Sequence, residues 1–117
     1  MSINKATILG NVCADPKVYT FENGEKVCSF DVATNEKGYT TKEGHIIADS
    51  TEFHHIVLKR AGLVDVAEKY IKKGSKIYCE GKIKTRTIGM EDGYIKKTKE
   101  IIVDVIESVR SKKVQAE

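Results

Sequence analysis

From Lys82 to Arg86 the chain sets a cation at every second position, Lys82, Lys84 and Arg86, with Ile88 next in the series, inside the run KIYCEGKIKTRTI. In an extended strand alternate side chains share a face, and successive members of that face stand about 6.6 Å apart. A ladder of cations at that spacing can bind a polyanion, while Ile83, lying between Lys82 and Lys84, is expected to turn inward. The ordinary alternative is a solvated strand whose lysines guard an edge. These residues alone leave the two readings level.

Other chemistry finds little footing. His54 and His55 are neighbours, and neighbours on a strand point to opposite faces, so they do not share one ion and no metal is expected. Neither GxGxxG nor GxxxxGK[ST] occurs, which removes the usual phosphate-binding loops. With no Ser/His/Asp grouping and no paired carboxylates at a useful spacing, neither an enzyme nor a cofactor is expected. Cys13, Cys28 and Cys79 are odd in number and contain no CxxC pair, so they read as buried or half-buried thiols and not as a disulfide framework.

At 117 residues and 40% hydrophobic content the chain has room for one compact domain. That domain is assigned to residues 1–107, with a short basic extension over 108–117. Net charge is only +3, but its distribution is uneven. Lys72, Lys73, Lys82, Lys84, Arg86, Lys96, Lys97 and Lys99 fill the second half, whereas Glu22, Glu25, Glu36, Glu43, Asp49 and Glu52 dominate the first. One basic surface is the expected result. No apolar run approaches the roughly 18 residues of a membrane span, and MSINKATILGN lacks the apolar core of a signal peptide, so a cytoplasmic protein without membrane contact is expected.

The elements that must position the ladder follow from periodicity and breakers. Residues 3–12 read as a strand that Asp15-Pro16 interrupts, and Asn23-Gly24 marks a hairpin turn. Val27–Thr34 alternates with Cys28, Phe30 and Val32 on one face, and residues 35–49 form a projecting polar loop with Tyr39 as its conspicuous aromatic. After a strand over residues 51–59, Leu63, Val66, Ala67, Tyr70 and Ile71 recur at helical spacing and stop before Gly74. Residues 76–88 and 94–106 are strands joined by the turn MEDG. Tyr70 and Tyr78 are expected to pack in the core, and Tyr94 stays unassigned. The order β-β-β-α-β-β is that of an OB-fold, an all-β five-stranded Greek-key barrel with one short helix, whose face takes oligonucleotides or oligosaccharides. Fold alone does not give function.

Several segments in this order, NKATILGNVCADP, ENGEKVCSFDVATNE, TEFHHIVL and KYIKKGSKIYCEGKIKTRT, resemble the bacterial-type single-stranded DNA-binding proteins over residues 3–106. The resemblance implies sequence-tolerant coating of single-stranded DNA in replication, recombination and repair, with rings stacked on bases and cations along the phosphates. Carried over by position, the rings are Tyr39 and Phe53. Two further family ring positions fall on Lys59 and Ile88, neither of which stacks, so binding is expected to lean on charge and to weaken with salt. The expected cations are Lys5, Lys59, Arg60, Lys73, Lys82, Lys84, Arg86 and Lys96, with His55 on the DNA side. The resemblance also implies a homotetramer, with a dimer as the alternative, whose subunit contact takes in Asn4, Ala6, Ile8 and His54. Family members usually continue into an acidic, partner-recruiting tail. Here ESVRSKKVQAE follows Ile106 with a net charge of +1, and a tailless protein that does not recruit those partners is the expectation. A primosome-type accessory protein and an oligomeric scaffold with weak DNA binding are the alternatives; the ATNE, TEFHH and YIKKGS segments favour the DNA-coating family.

Overall fold

The computed structural model describes residues 1–89 and 91–109. Two strands, β1 (Ala6–Val12) and β2 (Lys17–Thr20), precede β3 (Lys26–Glu36). A small hairpin of β4 (Tyr39–Thr40) and β5 (Ile46–Ile47) then leads to β6 (Ser50–Leu58). The helix α1 (Ala61–Tyr70) follows, and β7 (Lys76–Gly89) and β8 (Ile95–Val109) form a long hairpin. Met90 of the expected MEDG turn, and residues 110–117 of the expected extension, lie outside the described residues.

Five strands close into a barrel. β1 pairs antiparallel with β7, β7 with β8, and β6 with β3. β8 runs parallel to β6 at Ile56↔Ile101 and Val57↔Ile102, and β3 returns to β1 at Asn11↔Ala33 and Val12↔Val32. The expected OB barrel is therefore present, closed at both seams by short contacts. Two glycines let strands approach closely, Gly10 at the β1–β3 seam and Gly81 between β7 and β8. A Cβ on Gly10 would collide with the carbonyl oxygen of Ala33, and one on Gly81 with that of Ile102. Only a residue without a side chain lets those backbones approach.

The interruption at Asp15-Pro16 hides a strand that periodicity alone did not reveal. β2 pairs with β3 on the same edge that β1 uses, at Lys17↔Ser29 through Thr20↔Lys26. Phe21 donates its N–H to the carbonyl of Glu25 at 2.8 Å, and Gly24 takes φ +91°, so the Asn23-Gly24 turn is as expected. Outside the barrel, β4 and β5 give the projecting 35–49 segment two short paired strands.

Cys28, Phe30 and Val32 of β3 all turn inward, as the alternation predicts, and join Val12, Ile56, Leu58, Ile77, Cys79, Ile101 and Val103 in one core. Full burial of each large aliphatic side chain contributes roughly 1.5–3 kcal/mol. From α1 the core receives Val64, Ala67 and the following Ile71, while Val66 and Tyr70 stay exposed. Leu63, Ala67 and Ile71 of the expected stripe thus face the core, joined by Val64, whereas Val66 and Tyr70 do not pack. Tyr78 is corrected too. It shares the outward face of β7 with Glu80, to which its hydroxyl donates, while Ile77, Cys79 and Gly81 take the inward face. Ile83 has inward parity but remains 44% exposed, because β8 pairs with β6 only at Ile101 and Ile102, and beyond that point the β7–β8 hairpin stands clear of the barrel.

Candidate nucleic-acid interface

Strand alternation places Lys82, Lys84, Arg86 and Ile88 on the outward face of β7, opposite Ile102, Glu100, Thr98 and Lys96 of β8. β6 extends that face with Phe53, His55 and Val57, which sit opposite Ala33, Asp31 and Ser29 of β3. β2 completes it with Lys17 and Tyr19, opposite Ser29 and Val27. The sheet order β7-β8-β6-β3-β2 makes this one continuous surface. Phe53 stands in the middle strand and is 68% exposed. A phenylalanine left in water forgoes its burial energy, so its flat ring is free to take another aromatic surface.

Two grooves cross the surface and share Lys59. One, of about 810 Å³, is bordered by Lys17, Tyr19, Phe21, His55, Lys59 and Arg86. The other, of about 640 Å³, is bordered by Lys5, Lys59, Arg60 and Lys82 beside the N-terminal residues. Together they give a polyanion a path round the barrel on which cations outnumber the acids Glu80, Asp104 and Glu100.

The floor of the first groove carries an acid. Glu100 is only 7% exposed, and a carboxylate oxygen lies 3.7 Å from Nε2 of His55 and 3.9 Å from Nε of Arg86. The other ring nitrogen of His55, Nδ1, is 2.8 Å from Oδ1 of Asp31. His55 is therefore held between two carboxylates, one at each ring nitrogen. On the neighbouring strand, Lys5 pairs with Glu80 at 3.5 Å. The Tyr78 hydroxyl first, and then Lys5, hold the Glu80 carboxyl below its ordinary range.

The structure therefore gathers Phe53, His55, Lys59, Lys82, Lys84, Arg86, Ile88 and Lys96 on one face, with Lys5 and Arg60 at its border. Tyr39 stands apart on the β4–β5 hairpin, 63% exposed. Lys73 lies in the turn after α1, where its N–H donates to Oδ1 of Asp15 at 2.8 Å. The residues expected at a subunit contact use their side chains within the chain. Asn4 mimics a strand residue, its amide donating to the carbonyl of Ile83 at 2.8 Å and accepting from the Ile83 N–H at 2.9 Å. Ala6 and Ile8 pack against the core, and Nε2 of His54 lies 2.8 Å from the Thr34 hydroxyl. What β1 turns outward instead is Thr7 and Leu9, the latter 52% exposed.

Sequence reasoning missed Tyr19, Phe21, Asp31 and Glu100. The two rings carried a signal: they alternate about Thr20 just before Asn23-Gly24, mirroring Val27 and Glu25 after it, as hairpin partners do. Glu100 carried none, since only the β6–β8 and β7–β8 pairings bring it to His55 and Arg86.

A closed five-strand barrel with its helix between the third and fourth barrel strands, bearing a basic face, defines an OB-fold protein. The chain belongs to the single-strand binding protein family, which it matches over residues 3–109. It is similar to the single-stranded DNA-binding protein of Bacteroides thetaiotaomicron, 41% identical over 112 residues, covering 96% of this chain and 69% of that protein. To the protein of the same name from Rickettsia felis it is 38% identical over 104 residues, covering 87% of this chain and 66% of that one. The chain thus spans about two thirds of the length of these relatives. Among solved structures it is similar to a Plasmodium falciparum SSB complex with ssDNA, with a TM-score of 0.85 and 28% identity, covering 94% of this chain and 97% of that chain.

Proposed function

We propose that this protein binds and coats single-stranded DNA with little regard to sequence, in replication, recombination and repair, and catalyses nothing. The observation that carries the reading is the exposed ring of Phe53 on the same outward face as Lys82, Lys84 and Arg86. A ring that stacks on any base, beside cations that follow any phosphate, binds strands without reading their order. Family membership and the ssDNA-bound structural neighbour support it. The test is titration of a fluorescently labelled oligo-dT at low and moderate salt, beside the matching duplex. Tight, salt-weakened binding that prefers the single strand is expected, and Phe53→Ala should cost about 5- to 150-fold in affinity, the value of one stacked base. Equal binding to both substrates would falsify the reading.

The protein works in the cytoplasm and assembles as a homotetramer in this proposal, with contact made through the free edge of β1. That strand pairs with β7 from Ala6 to Asn11 but with β3 only at Asn11 and Val12, so the edge of Ala6–Leu9 away from β7 is open to a second copy. Light scattering measures the mass directly. A mass of one chain at micromolar concentration would sink the assembly and leave the binding reading standing.

A further inference from the structure

We infer that Tyr19 and Phe21, on the outer strand β2, form a second base-stacking platform for single-stranded DNA; this rests on the DNA-binding reading above. Three observations carry it. The rings are in contact at a centroid separation of 4.9 Å and an interplanar angle of 72°, an edge-to-face pair that props both upright. They are 64% and 45% exposed, so the pair is not a core element that happens to reach the surface. They also line one groove with Lys17, Lys59 and Arg86, which supply the positive charge that a phosphate chain needs on either side of a stacked base.

The placement follows from the local sequence. Tyr19 lies opposite Val27, on the outward face, and Phe21 follows two residues later, where its N–H bond to Glu25 fixes the start of the turn. An edge-to-face pair covers one face of one ring only, so flat aromatic surface is left for a base. The occupant that fits is an unpaired base on a strand held by those cations. In a duplex the base faces are already stacked on each other and are closed to a protein ring.

Three proteins separate the outcomes: wild type, Phe53→Ala, and a Tyr19→Leu/Phe21→Leu variant that keeps apolar bulk on β2 but has no rings. Each is titrated with labelled oligo-dT, weighed by light scattering, and irradiated with oligo-dT carrying 5-iododeoxyuridine. The β2 variant should melt like wild type, keep its mass, and bind roughly 10- to 100-fold more weakly. Its salt dependence should be unchanged, because no charge has been removed. Mass spectrometry should find a wild-type crosslink on Tyr19 or Phe21. If Phe53→Ala weakens binding while the β2 variant binds like wild type, the platform is refuted and the general reading survives. A β2 variant with altered mass and unaltered affinity makes the pair a subunit contact, which also refutes it. Failure of wild type to bind oligo-dT removes both readings.

Discussion

Nε2 of His55 lies 3.7 Å from the carboxylate of Glu100, an acid buried beneath the groove that Lys17, Lys59 and Arg86 border. The same carboxylate stands 3.9 Å from Nε of Arg86. It steadies two groups placed to meet phosphate and repels the phosphate they would meet. The Arg86 side chain is 62% exposed, so its long contact with Glu100 is worth at most about 1 kcal/mol. A buried negative charge a few ångströms below a bound phosphate is screened less than that.

Repulsion therefore wins. Glu100→Gln should tighten oligo-dT binding at low salt, by about 3- to 10-fold, and lower the melting temperature slightly. Weaker binding in a folded variant would show that holding Arg86 matters more than the charge.

Arg86 and Lys84 share the outward face of β7, two residues apart. If each neutralises one phosphate, Arg86→Ala and Lys84→Ala should each reduce the slope of log affinity against log salt by about 0.7. Salt titrations of both variants and of the double variant read this directly. A slope that does not change places the DNA elsewhere.

Burial lifts the thiols of Cys28 and Cys79, each to about 11, with the charge of Glu68 adding to the rise at Cys28. Unfolded thiols ionise near 9.0. Between about 9 and 11 the unfolded chain has lost protons that the folded chain keeps, so stability falls as pH rises through that window and these thiols add no slope below it. Urea unfolding at a series of pH values should show the decline, and a Cys28→Ala/Cys79→Ala variant should flatten it. At neutral pH a thiol reagent should modify the half-buried Cys13 first and reach the other two only on unfolding.

Gly81 tests the approach of β7 to β8 at their register shift. An added methyl there meets the Ile102 carbonyl, and backbone cannot step aside as a side chain can. Gly81→Ala should cost about 1–3 kcal/mol and lower the melting temperature by several degrees. An unchanged melting curve would mean that the β7–β8 pairing yields easily at this point.

The sequence is most readable where one residue type settles one question. Alternation at Cys28, Phe30 and Val32 gives the inner face of β3, Asn23-Gly24 gives its hairpin, and the Lys82–Arg86 series gives the outer face of β7, because each is a local pattern with a single geometric solution. Reading fails where the outcome depends on what arrives from elsewhere. Of the helix stripe at Leu63, Val66, Ala67, Tyr70 and Ile71, docking against β3 kept Leu63, Ala67 and Ile71, added Val64, and left Val66 and Tyr70 outside. Tyr78 looked like core until its neighbour Glu80 supplied a partner outside. Glu100 joins the site only through strand pairings that no window of residues reveals. The rings of Tyr19 and Phe21 were obscured by Pro16, which reads as the end of a strand but sits at the joint between two.

That joint sets the phase of everything after it. Along β3, Ala33 and Val32 face Asn11 and Val12, yet Ser29 faces Lys17, so two more residues are used on the β1–β2 side than an unbroken ladder needs. An even surplus keeps inward and outward sides in step: Val12 and Val18 turn one way, Lys17 and Tyr19 the other. Removing a single residue between Cys13 and Pro16 would leave the barrel seam at Asn11 and Val12 untouched while exchanging the two sides of β2. Val18 and Thr20 would then line the groove and Tyr19 would point away. The bend thus acts as a phase lock, through which the length of one short connection, and no contact with a ligand, decides which side chains the groove receives.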